Sequence, residues 1–162
     1  MFSTSPPWRF ILRNPIHFAS FGFGSGMSPF APGTVGTLVG FPVYWLLEKW
    51  GLQPEAYLAF IFFMFVVGIW FCEKTGSALG VADHNGIVWD EIVAFLLILH
   101  FTPQQWEWFV LAFFVFRVFD VWKPFPIRHF DSTIKNGFGV MLDDLLAAAY
   151  SIAVIQILNY FY

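Results

Sequence analysis

One cysteine, Cys72, in a chain of 162 residues leaves no internal disulfide and no multi-cysteine metal knot. Charge is nearly as scarce: 12% of the residues are Asp, Glu, Lys or Arg, against about 25% in an ordinary soluble domain. A net charge of −3 and a pI near 5.7 leave no basic footprint for nucleic acid, and nothing in the chain indicates a protein partner. No uninterrupted apolar stretch opens the sequence, because Arg9, Arg13, Asn14, Pro15 and His17 break it up, so the N-terminus does not read as a signal peptide. His17, His84 and His100 lack the spacing of a zinc site. No Ser/His/Asp arrangement is identifiable, and Ala78 stands where a cysteine phosphatase nucleophile at Cys72 would need an arginine.

What the chain has instead is apolar surface. Hydrophobic residues make up 58%, with 23 Phe and 8 Trp, and the mean hydropathy is +0.66. This is a membrane composition. Apolar runs predict five helices over 34–47, 56–72, 87–101, 105–121 and 140–161, of which only the second and fifth approach the ~20 residues that cross ~30 Å of hydrocarbon. The expected fold is all-α: a small polytopic membrane bundle of four to five hydrophobic helices, forming one domain over 1–162. Residues 1–21 read as an interfacial segment, since the WRFILR stretch mixes Trp, Phe and Arg.

Basic residues orient such a bundle. With the N-terminus in the cytoplasm and each run crossing once, Arg9, Arg13, Lys74, Arg117, Lys123, Arg128 and Lys135 fall inside, and only Lys49 falls outside. The same topology gathers the Gly/Pro-rich stretch 22–37 and the connections 73–91 and 117–144 on the cytoplasmic face.

Two stretches there repeat one pattern. GIVWDE, from Gly86 to Glu91, and GVMLDD, from Gly139 to Asp144, each run Gly, three apolar residues and two acids, then continue into an apolar helix. If both helices start at the glycine and run in parallel, Asp90, Glu91, Asp143 and Asp144 lie at one depth, about 6 to 8 Å in. Such acids either serve a helix dipole or, repelling one another, require protonation or a cation. Oxygen ligands without a Cys or His cluster favour Mg²⁺. Asp83, in the ADHNG turn, is a fifth ligand, a general base or an ordinary turn residue.

The fourth run ends FRVFDVWKP, placing Arg117, Asp120 and Lys123 near one face before Pro124. Arg117 then either clamps a phosphate or forms an ion pair with Asp120 or the acidic cluster. Arg128, His129 and Lys135 read more simply as loop cations near anionic headgroups. The stretch GFGSGMSPFAPGTVGT offers backbone amides and the hydroxyls of Ser25, Thr34 and Thr37 to an anion, although it lacks the Gly-Lys-Ser/Thr of a P-loop.

Taken in order, SGMSPFAPGTVGT, DHNGIVWDE, FRVFDVWKPFPI and GFGVMLDD resemble the phosphatidylglycerophosphatase A family over about residues 22 to 150. The resemblance implies a Mg²⁺-dependent phosphatase of the bacterial inner membrane that converts phosphatidylglycerophosphate to phosphatidylglycerol and inorganic phosphate. It leaves the role of each carboxylate open. The expected mechanism has Asp90, Glu91, Asp143 and Asp144, with or without Asp83, holding metal, while Arg117 and Lys123 neutralise the phosphoryl oxygens. Ser25, Thr34 and Thr37 would hold the phosphate. Water or an aspartate is the nucleophile. Two rivals are a small transporter or cation channel built on intramembrane carboxylates, and a phosphotransferase acting on nucleotide-linked lipids, whose longer spaced motif is missing here.

Overall fold

A computed structural model describes residues 6–162, and these fold entirely into helices and connections, with no strand among them. The first five residues of the expected interfacial segment lie outside that range. The remainder forms two short helices, α1 (Trp8–Leu12) and α2 (Pro15–Ser20). A 3₁₀ stretch, Gly22–Met27, follows. Next come α3 (Pro32–Lys49), α4 (Pro54–Leu79), α5 (Trp89–His100), α6 (Trp106–Trp122), the short α7 (Ile127–Thr133) and α8 (Gly137–Phe161).

Prolines open α3 and α4 at their first turns, where a missing N–H costs nothing. Helix α4 stops at Gly80, whose φ of 71° is the left-handed conformation glycine adopts freely. Gly80 N–H donates to the Ser77 carbonyl and Val81 N–H to the Gly76 carbonyl, the paired closure that satisfies the last carbonyls of a helix. The reversal aims Asp83 back toward the bundle. Nearby, α8 is capped twice: Asn136 Oδ1 accepts from Gly139 N–H at 3.0 Å, and Glu73 Oε2, reaching from α4, accepts from Gly137 N–H at 2.6 Å.

Helix α5 is the axis of the fold. It packs against α3, α4, α6 and α8, and Ile92, Phe95, Leu96, Ile98 and Leu99 are fully buried. Burying each such side chain contributes about 1.5–3 kcal/mol. Its hydrophobicity all round reflects enclosure by protein, because 12 residues span only about 18 Å. Helices α4 and α8, with 26 and 25 residues, are the two among the described residues that are long and apolar enough to cross a membrane. Around them the outer surface is apolar: Phe62, Phe63, Trp70 and Phe114 are each more than half exposed. Such a surface favours lipid over water as its solvent.

Helices α1, α2 and α7 have no counterpart among the five predicted runs, being too short for an apolar period to register. The N-terminal pair is tied down by polar contacts: His17 Nδ1 lies 2.9 Å from Thr75 Oγ1 on α4, which is also 2.8 Å from Ser20 Oγ.

Candidate active site

Gly86, Ile87 and Val88 do not begin a helix. The Gly86 backbone is wedged against the Phe21 ring and the Gly26 carbonyl, and its N–H donates to His84 Nδ1 at 3.0 Å. Val88 N–H donates to the Ser20 carbonyl at 2.9 Å. These contacts hold the segment in a turn followed by irregular backbone until Trp89, whose indole N–H donates to the Met64 carbonyl at 3.1 Å. Asp90 and Glu91 therefore sit in the first turn of α5, where unpaired N–H groups and the helix dipole favour negative charge. In α8 the helix starts at Gly137, so Asp143 and Asp144 lie about 9 Å in. The two sequence copies are thus not copies in structure, and the expected common offset from a helical glycine is corrected.

The four carboxyl groups nevertheless converge. They line a cavity of about 320 Å³ whose wall also includes Ala31, Pro32 and Gly33, the turn residues Asp83 and Asn85, and Arg117, Asp120 and Lys123 from the end of α6. Six carboxyl groups face two cations. That excess of negative charge requires protonation or an added cation.

The contacts divide the acids. Glu91 Oε1 is 3.0 Å from Arg117 Nη1, and Glu91 Oε2 accepts from Thr37 Oγ1 at 3.2 Å. Glu91 lies over Gly33, where a Cβ would run into the carboxylate. Arg117 also holds Asp120 at 2.6 Å and donates to Thr37 Oγ1 at 3.4 Å. Asp143 pairs with Lys123, and Lys123 continues to Asp131 on α7 at 3.3 Å. Burial works against the Lys123 ammonium, but Asp143 and Asp131 outweigh it and hold its pKa above the ordinary lysine value. Two oxygens are left over. Asp90 Oδ1 and Asp144 Oδ2 are buried and have no hydrogen-bond partner.

An orphaned buried carboxylate oxygen is expensive, at about 1–3 kcal/mol or more when charged, and here two of them belong to residues, on different helices, that line one polar cavity. Hard oxygen donors in that arrangement suit a divalent cation such as Mg²⁺. Among the described residues, no three His, Cys, Asp or Glu side chains form a ready-made metal cage; Glu91 and Asp143 are instead engaged by Arg117 and Lys123.

The other predicted residues are distributed unevenly. Asp83 stands at the exposed rim of the cavity. Thr37 is buried behind the wall, bonded to Glu91 and to the Gly33 carbonyl. Ser25 donates to the Gly22 carbonyl at 2.8 Å, and neither it nor Thr34 lines the cavity. The glycine-rich stretch contributes backbone at Ala31–Gly33 rather than those hydroxyls. Asp120 and Asn85 are wall residues outside the predicted set; the i,i+3 spacing of Arg117 and Asp120 was the available signal for the first. Ala31 and Lys123, both in the cavity wall, adopt left-handed backbone, with φ of 43° and 45°. Non-glycine residues hold that conformation only where their surroundings impose it.

The sequence profile described as Phosphatidylglycerophosphatase A matches residues 18–159. The chain belongs to the phosphatidylglycerophosphatase A family. Within it, the Haemophilus influenzae protein named Phosphatidylglycerophosphatase A is 43% identical over 161 residues, covering 99% of this chain and 98% of the relative. The Escherichia coli protein of the same name is 36% identical over 153 residues, covering 94% and 88%. A Bacteroides thetaiotaomicron protein, provisionally named a phosphatidylinositol-3-phosphatase, is 40% identical over 143 residues, covering 84% and 88%. No solved structure matches the chain. For this phosphatidylglycerophosphatase A member, the family match spans every element that lines the cavity, from α3 to the acidic turn of α8.

Proposed function

We propose that this chain removes the terminal phosphate of phosphatidylglycerophosphate, releasing phosphatidylglycerol and inorganic phosphate, at the cytoplasmic face of a bacterial inner membrane and with Mg²⁺ as cofactor. The observation that carries the reading is the pair of unpartnered carboxylate oxygens, Asp90 Oδ1 and Asp144 Oδ2, in a cavity that also holds Arg117 and Lys123. Membership in the phosphatidylglycerophosphatase A family, with two relatives of that name, supplies the substrate. The distribution of Lys and Arg supports the cytoplasmic orientation, and the outer apolar surface supports several crossings by the bundle.

Asp90 and Asp144 would hold Mg²⁺, with Asp143 and Glu91 beside them as further donors. Bound there, the cation supplies charge neutralisation for a phosphoryl group and lowers the pKa of a bound water. The protein supplies the rest. Lys123, kept charged by Asp143 and Asp131, presents an ammonium to the phosphate oxygens. Arg117, gripped by Glu91 and Asp120, fixes the ends of α5 and α6 relative to each other and adds positive potential from the wall. Asp83, at the exposed rim, would take up the proton released if water is the nucleophile.

The test is phosphate release from phosphatidylglycerophosphate in detergent, with Mg²⁺ or with EDTA, alongside thermal unfolding in the same buffers. Release only with Mg²⁺ is expected, together with stabilisation by Mg²⁺ that grows to about 2.7 kcal/mol at a hundredfold excess over Kd. Loss of that stabilisation in Asp90→Asn is expected too. Full activity in EDTA would remove the metal, and no activity in either buffer would remove the substrate assignment.

A further inference from the structure

A second cavity adjoins the first. It measures about 550 Å³ and is walled by Trp122, Lys123, Pro124, Phe125, Arg128 and His129. Lys123 belongs to both walls. Where the first cavity is dominated by carboxylates, this one has no acidic residue in its wall, and Arg128 is exposed with no ion pair among the described residues. At its edge, Val121, Trp122 and Phe125 are each more than 70% exposed.

The substrate named above carries two phosphates, a terminal monoester and an internal diester, one glycerol apart. If the monoester occupies the carboxylate cavity beside Lys123, the diester lies a few bonds away on the lipid side, and its charge needs a cation outside the acidic field. We infer that the Arg128 cavity is the subsite for the internal phosphodiester, with Arg128 its cationic contact and the exposed Trp122 and Phe125 receiving the lipid's apolar part. This rests on the proposed substrate.

The geometry supports a fixed subsite rather than a loose surface charge. The fully buried Ile127 anchors α7. Asp131, on the same helix, is held by Lys123 at 3.3 Å. Tyr150 of α8 donates to the Phe125 carbonyl at 3.2 Å and its ring stacks on Phe119. Arg128 is therefore held in register with the helix that carries Asp143 and Asp144. A guanidinium in such a place can bind a phosphodiester through two parallel N–H donors.

The test uses full-length protein in mixed micelles, with phosphatidylglycerol as a probe carrying only the diester and inorganic phosphate as a probe carrying only the terminal group. Arg128→Ala should raise the surface-concentration KM for phosphatidylglycerophosphate about tenfold and weaken inhibition by phosphatidylglycerol equally. The kcat and the inhibition constant of inorganic phosphate should stay within twofold, and Arg128→Lys should recover part of the loss. An unchanged KM, an equal shift in phosphate inhibition, or a loss confined to association with the micelle surface would each overturn the subsite. Because Arg128 is exposed, its variants are expected to fold. Wild-type protein that releases no phosphate would overturn the substrate assignment and this inference with it; an active wild type beside an unaltered Arg128→Ala overturns this inference alone.

Discussion

Asp90 and Glu91 stand in the first turn of α5, whereas Asp143 and Asp144 stand nearly two turns inside α8. The first pair is favoured by the helix dipole and by N–H groups with no intrahelical partner; the second has neither. Both pairs are nevertheless resolved alike, with one carboxylate taken by a base and the other left with a bare oxygen. Both bases come from the last turn and a half of α6, Arg117 at one level and Lys123 at its end. One helix terminus thus serves two acidic pairs. The two bases bridge different elements: Arg117 binds Glu91 and Asp120 through one terminal nitrogen, Nη1, and so ties α5 to α6, while Lys123 is a point charge between α7 and α8.

The largest effects should come from the bare oxygens. Asp90→Asn and Asp144→Asn should each lower kcat by about 10²–10³-fold, on the scale of a lost electrostatic element. In EDTA the same variants should be as stable as the parent or more so, by about 1–3 kcal/mol, because an unpaired buried charge has been removed. A variant that loses activity and stability together would make these acids structural. The paired acids should behave in the opposite way. Lys123→Met strands the buried Asp143 and should cost about 3 kcal/mol, whereas Glu91→Gln leaves Arg117 its bond to Asp120 and should cost about 1–2 kcal/mol. Chemical or thermal unfolding in detergent orders the two, and equal losses would erase the distinction between the pairs. Gly33→Ala follows, since its Cβ would displace the Glu91 carboxylate from its seat. The expected destabilisation is about 1–2 kcal/mol, with a KM or kcat change that Gly36→Ala, aimed at Val88 and away from the acids, does not share. The smallest effect belongs to Ala31→Gly: relief of a left-handed alanine and the greater freedom of unfolded glycine nearly cancel, leaving a change within about 1 kcal/mol.

The five long helices were legible because each is a sustained apolar run, and their centres lie where hydropathy placed them. Their ends were less legible: the second run was expected to stop at residue 72, whereas α4 continues to Leu79 and closes at Gly80. The start of α5 was misread because GIV can equally enter a helix or stay outside it, and what decides is Phe21, Gly26 and Ser20, sixty or more residues away. The acidic pairs, Arg117, Lys123 and Asp83 were legible as charges that an apolar chain has reason to place together, and the structure brings them to one cavity. Their division into paired and unpaired oxygens was not, since pattern alone does not say which of two adjacent acids faces a base. Nor did the hydroxyls of Ser25 and Thr34 reach the cavity; in a stretch so rich in glycine, local backbone turns captured Ser25 first.

Helix α5 touches four other helices and exposes almost nothing. Every residue along it is answerable to protein on all sides, so a change of shape at Phe95 or Leu96 must be met by a matching change on α3, α6 or α8. Helix α4 is under no such obligation along its outer face, where Phe62, Phe63 and Val66 are exposed and one large apolar side chain serves as well as another. Sequence drift among relatives should therefore be fastest on α4 and slowest, and correlated, on the shortest of the five principal helices.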